Sequence, residues 1–154
     1  ARGNAWFVND VKYVNGANEE IEAIHELDPA HQAVVDKKFQ EAIQPMASDS
    51  TATIQLVAYE PNYLKYEVNS EKGGTVVFSE IYYPGWQSTV DGQPVPNGRA
   101  NYILRAMNVP AGKHTVEFTF DPASLHTTET IAFVALGLLV LLAVVAGYFA
   151  WKKK

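Results

Sequence analysis

Residues 114–120 read His114-Thr115-Val116-Glu117-Phe118-Thr119-Phe120. Polar and apolar side chains alternate strictly, and a period of two belongs to a β-strand with one face against a core. Val116, Phe118 and Phe120 then share the buried face, and Thr115, Glu117 and Thr119 the other. Turn residues bracket the strand. Pro110-Ala111-Gly112-Lys113 precedes it, and Asp121-Pro122 closes it.

Working back from this strand, the same punctuation recurs. Asn101–Val109 reads as a strand, as do Trp86–Val90, Thr75–Tyr82, Tyr63–Val68 and Thr53–Tyr59. Asp91-Gly92 is a tight-turn pair, Pro84-Gly85 a break, and Glu71–Gly74 a hairpin turn between two of these strands. Further back, Trp6–Val14 reads as one strand before an Asn15-Gly16 turn. Asn18 then serves as N-cap for a helix over 18–27, with Glu19 and Glu20 in its first turn. Ala33–Asp36 is a short edge strand, and Gln44–Ser50 a loop around Pro45. Seven or eight short strands at this spacing predict a mainly β fold: an antiparallel β-sandwich with one or two short helices.

The chain ends differently. Ile131–Trp151 is a run of 21 residues without a charge. As a helix it would extend about 31 Å, the thickness of a bilayer core. It has no polar face, so it does not fit a soluble core. Tyr148 and Trp151 sit where an interfacial aromatic belt would lie, and Lys152, Lys153 and Lys154 follow. The positive-inside rule puts those lysines in the cytoplasm. The expected organisation is an extracytoplasmic β-sandwich over 1–126, a single transmembrane helix over 127–151 capped by Thr127 or Thr128, and a cytoplasmic tail over 152–154.

Composition narrows the function. Without the terminal lysines the chain carries nine basic against seventeen acidic residues, which argues against nucleic acid. There is no cysteine, so disulfides, thiolate catalysis and cysteine-ligated zinc are excluded. The beginning, Ala1-Arg2-Gly3-Asn4, has neither a Met nor a signal peptide. Either a signal has been removed or, as the favoured expectation, the chain follows a longer preceding part that carries earlier membrane spans.

Residues 79–121 hold a distinctive series of blocks: Tyr83-Pro84-Gly85-Trp86, Val90-Asp91-Gly92, Arg99-Ala100-Asn101-Tyr102, Val109–His114 and Phe118–Pro122. In this order and spacing they resemble the C-terminal region of the YfhO family of bacterial membrane proteins. The opening Asn4–Val8 and the final apolar span fit the same family. The resemblance implies a large multi-span protein of glycosyltransferase-like architecture that uses lipid-linked sugar donors in the cell envelope. The acidic catalytic motif of such transferases lies in an early outer loop, outside this sequence, so no catalytic residue is carried over.

Candidate ligand residues are few. Tyr83 and Trp86, with Tyr82 beside them, could stack on a sugar face, and Arg99 could fork onto hydroxyls or a phosphate. Packing explains the same aromatics as corner filler. Asp91 reads first as a turn residue. Arg105 reads as an ion-pair partner of Glu80 or Glu117. His25, His31, His114 and His126 have no metal-ligand spacing, and Ser79, Ser88 and Ser124 no nucleophile context. No cofactor is expected. The favoured reading is a non-catalytic accessory domain that positions a cell-envelope glycan or lipid-linked sugar. Its partners would be the lipid bilayer and the remaining transmembrane part of the parent protein. The alternative is a membrane-anchored, lectin-like carbohydrate-binding module. An enzymatic contribution ranks last.

Overall fold

The computed structural model describes residues 3–152, apart from the side chains of residues 123–126 and 150. Ala1, Lys153 and Lys154 lie outside the described residues, as do the side chains of Ser124 and His126. The chain divides into two units, Ala1–Phe120 and Asp121–Lys154.

The first unit is built on two antiparallel sheets. One contains β1 (Ala5–Val8), β6 (Gly74–Ile81), β10 (Leu104–Val109) and β9 (Gly98–Ala100), in that spatial order. The other contains β4 (Thr53–Glu60), β5 (Tyr63–Ser70), β11 (Gly112–Phe120), β7 (Trp86–Val90) and the two-residue β8 (Gln93–Pro94). The sheets pack face to face through Tyr66, Val116 and Phe118 of the second and Val76, Phe78 and Met107 of the first, all buried. The rings of Tyr66, Phe78 and Phe118 meet edge to face, the arrangement their quadrupoles favour. On β11, Val116 and Phe118 are buried and Phe120 half-buried, while Glu117 on the other face takes a hydrogen bond from the Tyr63 hydroxyl.

The outer face of the four-stranded sheet is also covered. Val77, Ala100 and Ala106 pack there with Val11, Ala33, Val35 and Ile43. The cover consists of β2 (Asp10–Val14) and β3 (Gln32–Asp36), paired in parallel, with α1 (Ala17–Ile24) connecting them. The expected edge strand at 33–36 is therefore buried, as its unbroken apolar run requires.

Several boundaries differ from expectation, each for a local reason. The strand expected over 6–14 breaks at Asn9, because the N–H groups of Asn9 and Asp10 both turn to the His31 carbonyl. The α1 helix is capped at Gly16, not Asn18. Gly16 sits at φ 87°, and the Glu19 carboxylate reaches back to the Asn15 N–H. The strand expected over 101–109 starts only at Leu104. Asn101 and Tyr102 hold positive φ, and Asn101 bonds the Val34 N–H through its side chain and the Val34 carbonyl through its own N–H.

The hairpin expected at Glu71–Gly74 is a crossover instead. β5 and β6 belong to different sheets, and the chain passes between them at Gly73. Gly73 has φ 74°, and a Cβ there would stand 2.5 Å from the Val109 carbonyl oxygen, so only glycine fits. Asp49 fastens this crossing by accepting from the Ser70 hydroxyl and the Glu71 N–H.

The second unit is α2 (Ala123–Lys152), which starts just after Pro122 rather than at Thr127. Its segment Thr127–Phe149 is long and apolar enough to cross a membrane, and none of it is buried in protein.

Candidate functional site

The three ligand candidates do not gather at one place. Tyr83 and Trp86 lie together where β6 gives way to β7, both beside the Phe120 ring, at 6.1 and 5.3 Å. Tyr83 is exposed. Trp86 is half-buried and packs against the core between the sheets. A cation already occupies the Trp86 ring: the Arg105 guanidinium lies 4.4 Å from its centroid, and 4.5 Å from that of Phe118. Arg99 is engaged elsewhere. Its guanidinium bonds the Glu20 carboxylate at 2.6 Å, stands 3.9 Å from Asp36 and lies over the Tyr102 ring.

Arg105 does not form the ion pair expected for it. Among the described residues its one hydrogen bond runs to the Ile81 carbonyl, and Nε and Nη1 lie buried without a partner. Burial pushes its pKa down to about 10, with Glu80 and Tyr66 opposing the shift, so it stays charged at neutral pH. The Tyr66 hydroxyl is likewise buried and unpartnered, and burial pushes it well above its ordinary value. These groups form a polar seam inside the sandwich.

A more accessible arrangement lies on the five-stranded sheet. An open groove of about 610 Å³ crosses β4, β5 and β11, with Asp91 at its rim. Register explains its lining. Thr53, Asn69 and Lys113 stand side by side across three strands, and so do Gln55, Glu67 and Thr115. Neighbouring strands lie about 4.8 Å apart and alternate residues about 7 Å, so two short rows of donors and acceptors result. Thr53, Gln55, Glu67, Asn69 and Thr115 each alternate with a residue packed in the core between the sheets: Ile54, Leu56, Val68 or Val116.

Asp91 and His114 close one end of the groove. The Asp91 carboxylate meets His114 Nδ1 at 2.6 Å and accepts from the Thr115 N–H at 2.8 Å, while His114 Nε2 bonds the Ala111 carbonyl. The Thr115 N–H and the His114 contact hold Asp91 below the usual carboxylate range. Asp91, helped by the Ala111 carbonyl, raises His114. Asp91 thus is the turn residue its Asp-Gly pair predicts, at φ 50°, and also anchors a histidine. Among the described residues no group of three or more His, Cys, Asp or Glu could hold a metal.

The groove escaped the sequence reading. Each strand showed its alternation, but β5 and β11 lie too far apart in sequence for their pairing to be foreseen. The cue was the outward-facing set itself, rich in amides and hydroxyls.

No curated protein and no solved structure matches the chain. The family model of the bacterial membrane protein YfhO matches residues 28–132, from the approach to β3 through the start of the apolar helix. That match covers more than half of the chain, so the chain belongs to the YfhO family of bacterial membrane proteins.

Proposed function

We propose that the β domain is a non-catalytic accessory domain on the extracytoplasmic side, and that it positions a cell-envelope glycan for transfer by the membrane-embedded part of its parent protein. The observation that carries this reading is the groove over β4, β5 and β11, with Gln55, Asn69, Thr53, Thr115, Glu67 and Lys113 in register. Amides, hydroxyls and single charges of both signs suit a neutral or weakly charged polyol, which is held by many modest hydrogen bonds. A phosphate-bearing lipid donor would call for clustered cations, and Lys113 is the one Lys or Arg in this lining. The reading therefore favours the polymer acceptor over the lipid-linked sugar.

The family supports a membrane protein, and Lys152 after the apolar helix supports a cytoplasmic C-terminus with the β domain outside. Tyr83 and Trp86 offer less to a sugar, because Arg105 already lies over the indole ring.

The test is retention of purified cell-envelope polysaccharide by the chain in lipid nanodiscs. Gln55→Ala with Asn69→Ala should weaken binding about tenfold or more, as expected for two lost hydrogen bonds, without lowering the melting temperature. A wild-type chain that retains no polysaccharide, or a double variant that retains it equally, sinks the reading.

A further inference from the structure

The domain exposes seven large apolar or aromatic side chains, and five of them, Tyr59, Ile81, Tyr83, Tyr102 and Ile103, stand at one end of the sandwich. The register places them there. Glu60 pairs with Tyr63, Tyr63 with Thr119, and Phe120 with Trp86, so Tyr59 and Tyr83 flank the end of β11. Leu104 pairs with Ile81, and the Tyr82 N–H bonds the Ile103 carbonyl, which brings the loop before β10 to the same end. Tyr59, Ile81 and Tyr83 are 67, 68 and 59% exposed and Ile103 49%. The opposite end carries Asp49, Glu71 and Lys72 around the Gly73 crossover.

This apolar end is where the chain leaves for the membrane segment. β11 finishes at Phe120, α2 begins at Ala123, and the span begins at Thr127. Three extended steps and four helical ones reach roughly 17 Å at most. The headgroup layer occupies several of those ångströms. An end tethered this closely, and carrying tyrosines and isoleucines, has the composition of a membrane-interface surface. Glu60 and Glu80 adjoin it in sequence, and Lys38 stands over the Phe39 ring that meets Tyr82, so charges of both signs border it and suit a zwitterionic surface.

We propose that this end of the β domain rests on the lipid surface, with Tyr59, Ile81, Tyr83 and Ile103 seated among the headgroups. The groove begins five residues back along β11 from Phe120, away from this end. The inference does not depend on the groove binding anything.

The absence of cysteine allows a direct test. Nitroxide labels are placed one at a time at Tyr83→Cys, Ile103→Cys and Lys72→Cys in the full chain, in phosphatidylcholine nanodiscs. The ratio of collision with oxygen to collision with a water-soluble nickel chelate should be at least about threefold higher at 83 and 103 than at 72, because oxygen concentrates in lipid. Adding Ile81→Glu should lower the ratio at 103 and leave the melting temperature unchanged. Equal ratios at all three positions overturn the proposal. So do labels at 83 and 103 shielded from both reagents, because that result assigns the surface to a second copy of the chain.

Discussion

Arg99 and Arg105 stand opposite one another across β9 and β10, yet their guanidinium groups end in different surroundings. Arg99 reaches Glu20, a carboxylate with no exposed surface, and Asp36 lies just beyond. Arg105 is itself 1% exposed and makes no ion pair among the described residues. It lies between the rings of Trp86 and Phe118 and has one carbonyl as acceptor. The first arginine ties α1 to the sheet, and Glu20 also takes the Tyr102 N–H that ends β9. The second fills space in an aromatic slot. One charge is held by its counter-charge and the other by polarisable ring faces, so their removal should have different consequences.

The largest effect should follow from Arg99→Met. It leaves the buried Glu20 carboxylate without its cation, a situation that costs about 3–5 kcal/mol. Urea unfolding of the chain in detergent, followed by aromatic circular dichroism, should show a midpoint far below wild type. Adding Glu20→Met should restore most of the loss, because the pair goes as a unit and only the Tyr102 N–H remains without its acceptor. If Arg99→Met unfolds at the wild-type midpoint, the ion pair does not hold the helix.

Arg105→Met should do much less. A flexible apolar chain of similar length keeps contact with Trp86 and Phe118, and the cost of burying a charge disappears. The lost cation–π attraction, about 1–2 kcal/mol for a desolvated pair, works against that gain. The net change should be about 1 kcal/mol or less in either direction. An Arg105→Met loss as large as that of Arg99→Met would collapse the distinction between the two sites and point to partners for Nε and Nη1.

These two sites also show what a sequence makes legible. The sandwich was readable because each strand carries its own period: Val116 and Phe118 alternate with Thr115 and Glu117 whatever their neighbours are. The membrane helix was readable for the same reason, since an uncharged run needs no partner to interpret. Partnership was not readable. Arg99 and Glu20 are separated by most of the domain, and nothing local in either segment announces the other. The crossover at Gly73 looked like a hairpin because turn residues mark a change of direction and not a change of sheet. The groove was hidden likewise: Gln55, Asn69 and Lys113 became neighbours only once three strands had taken their register.

The smallest effect concerns a third contact between a carboxylate and a cation, Asp91 with His114, which sits at the groove rim rather than in the core. Here the charge state of the histidine can be set by pH, which neither arginine allows. The His114 pKa is raised above its ordinary 6.5, chiefly by Asp91. Its contribution to stability is therefore complete below 6.5 and disappears as pH rises through the elevated folded value. The Asp91 pKa is lowered from 3.8 by the Thr115 N–H and by His114. Its contribution is present above 3.8 and disappears as pH falls through the depressed folded value. Both act together between pH 3.8 and 6.5. Asp91→Asn keeps an oxygen for the Thr115 N–H and removes the charge. The gap between wild type and Asp91→Asn in urea midpoint should be widest inside that window and should narrow as pH rises through the elevated His114 value. A gap that stays constant from pH 5 to 9 would mean that Asp91 acts through its turn alone, and that solvent exposure removes the value of the pair altogether.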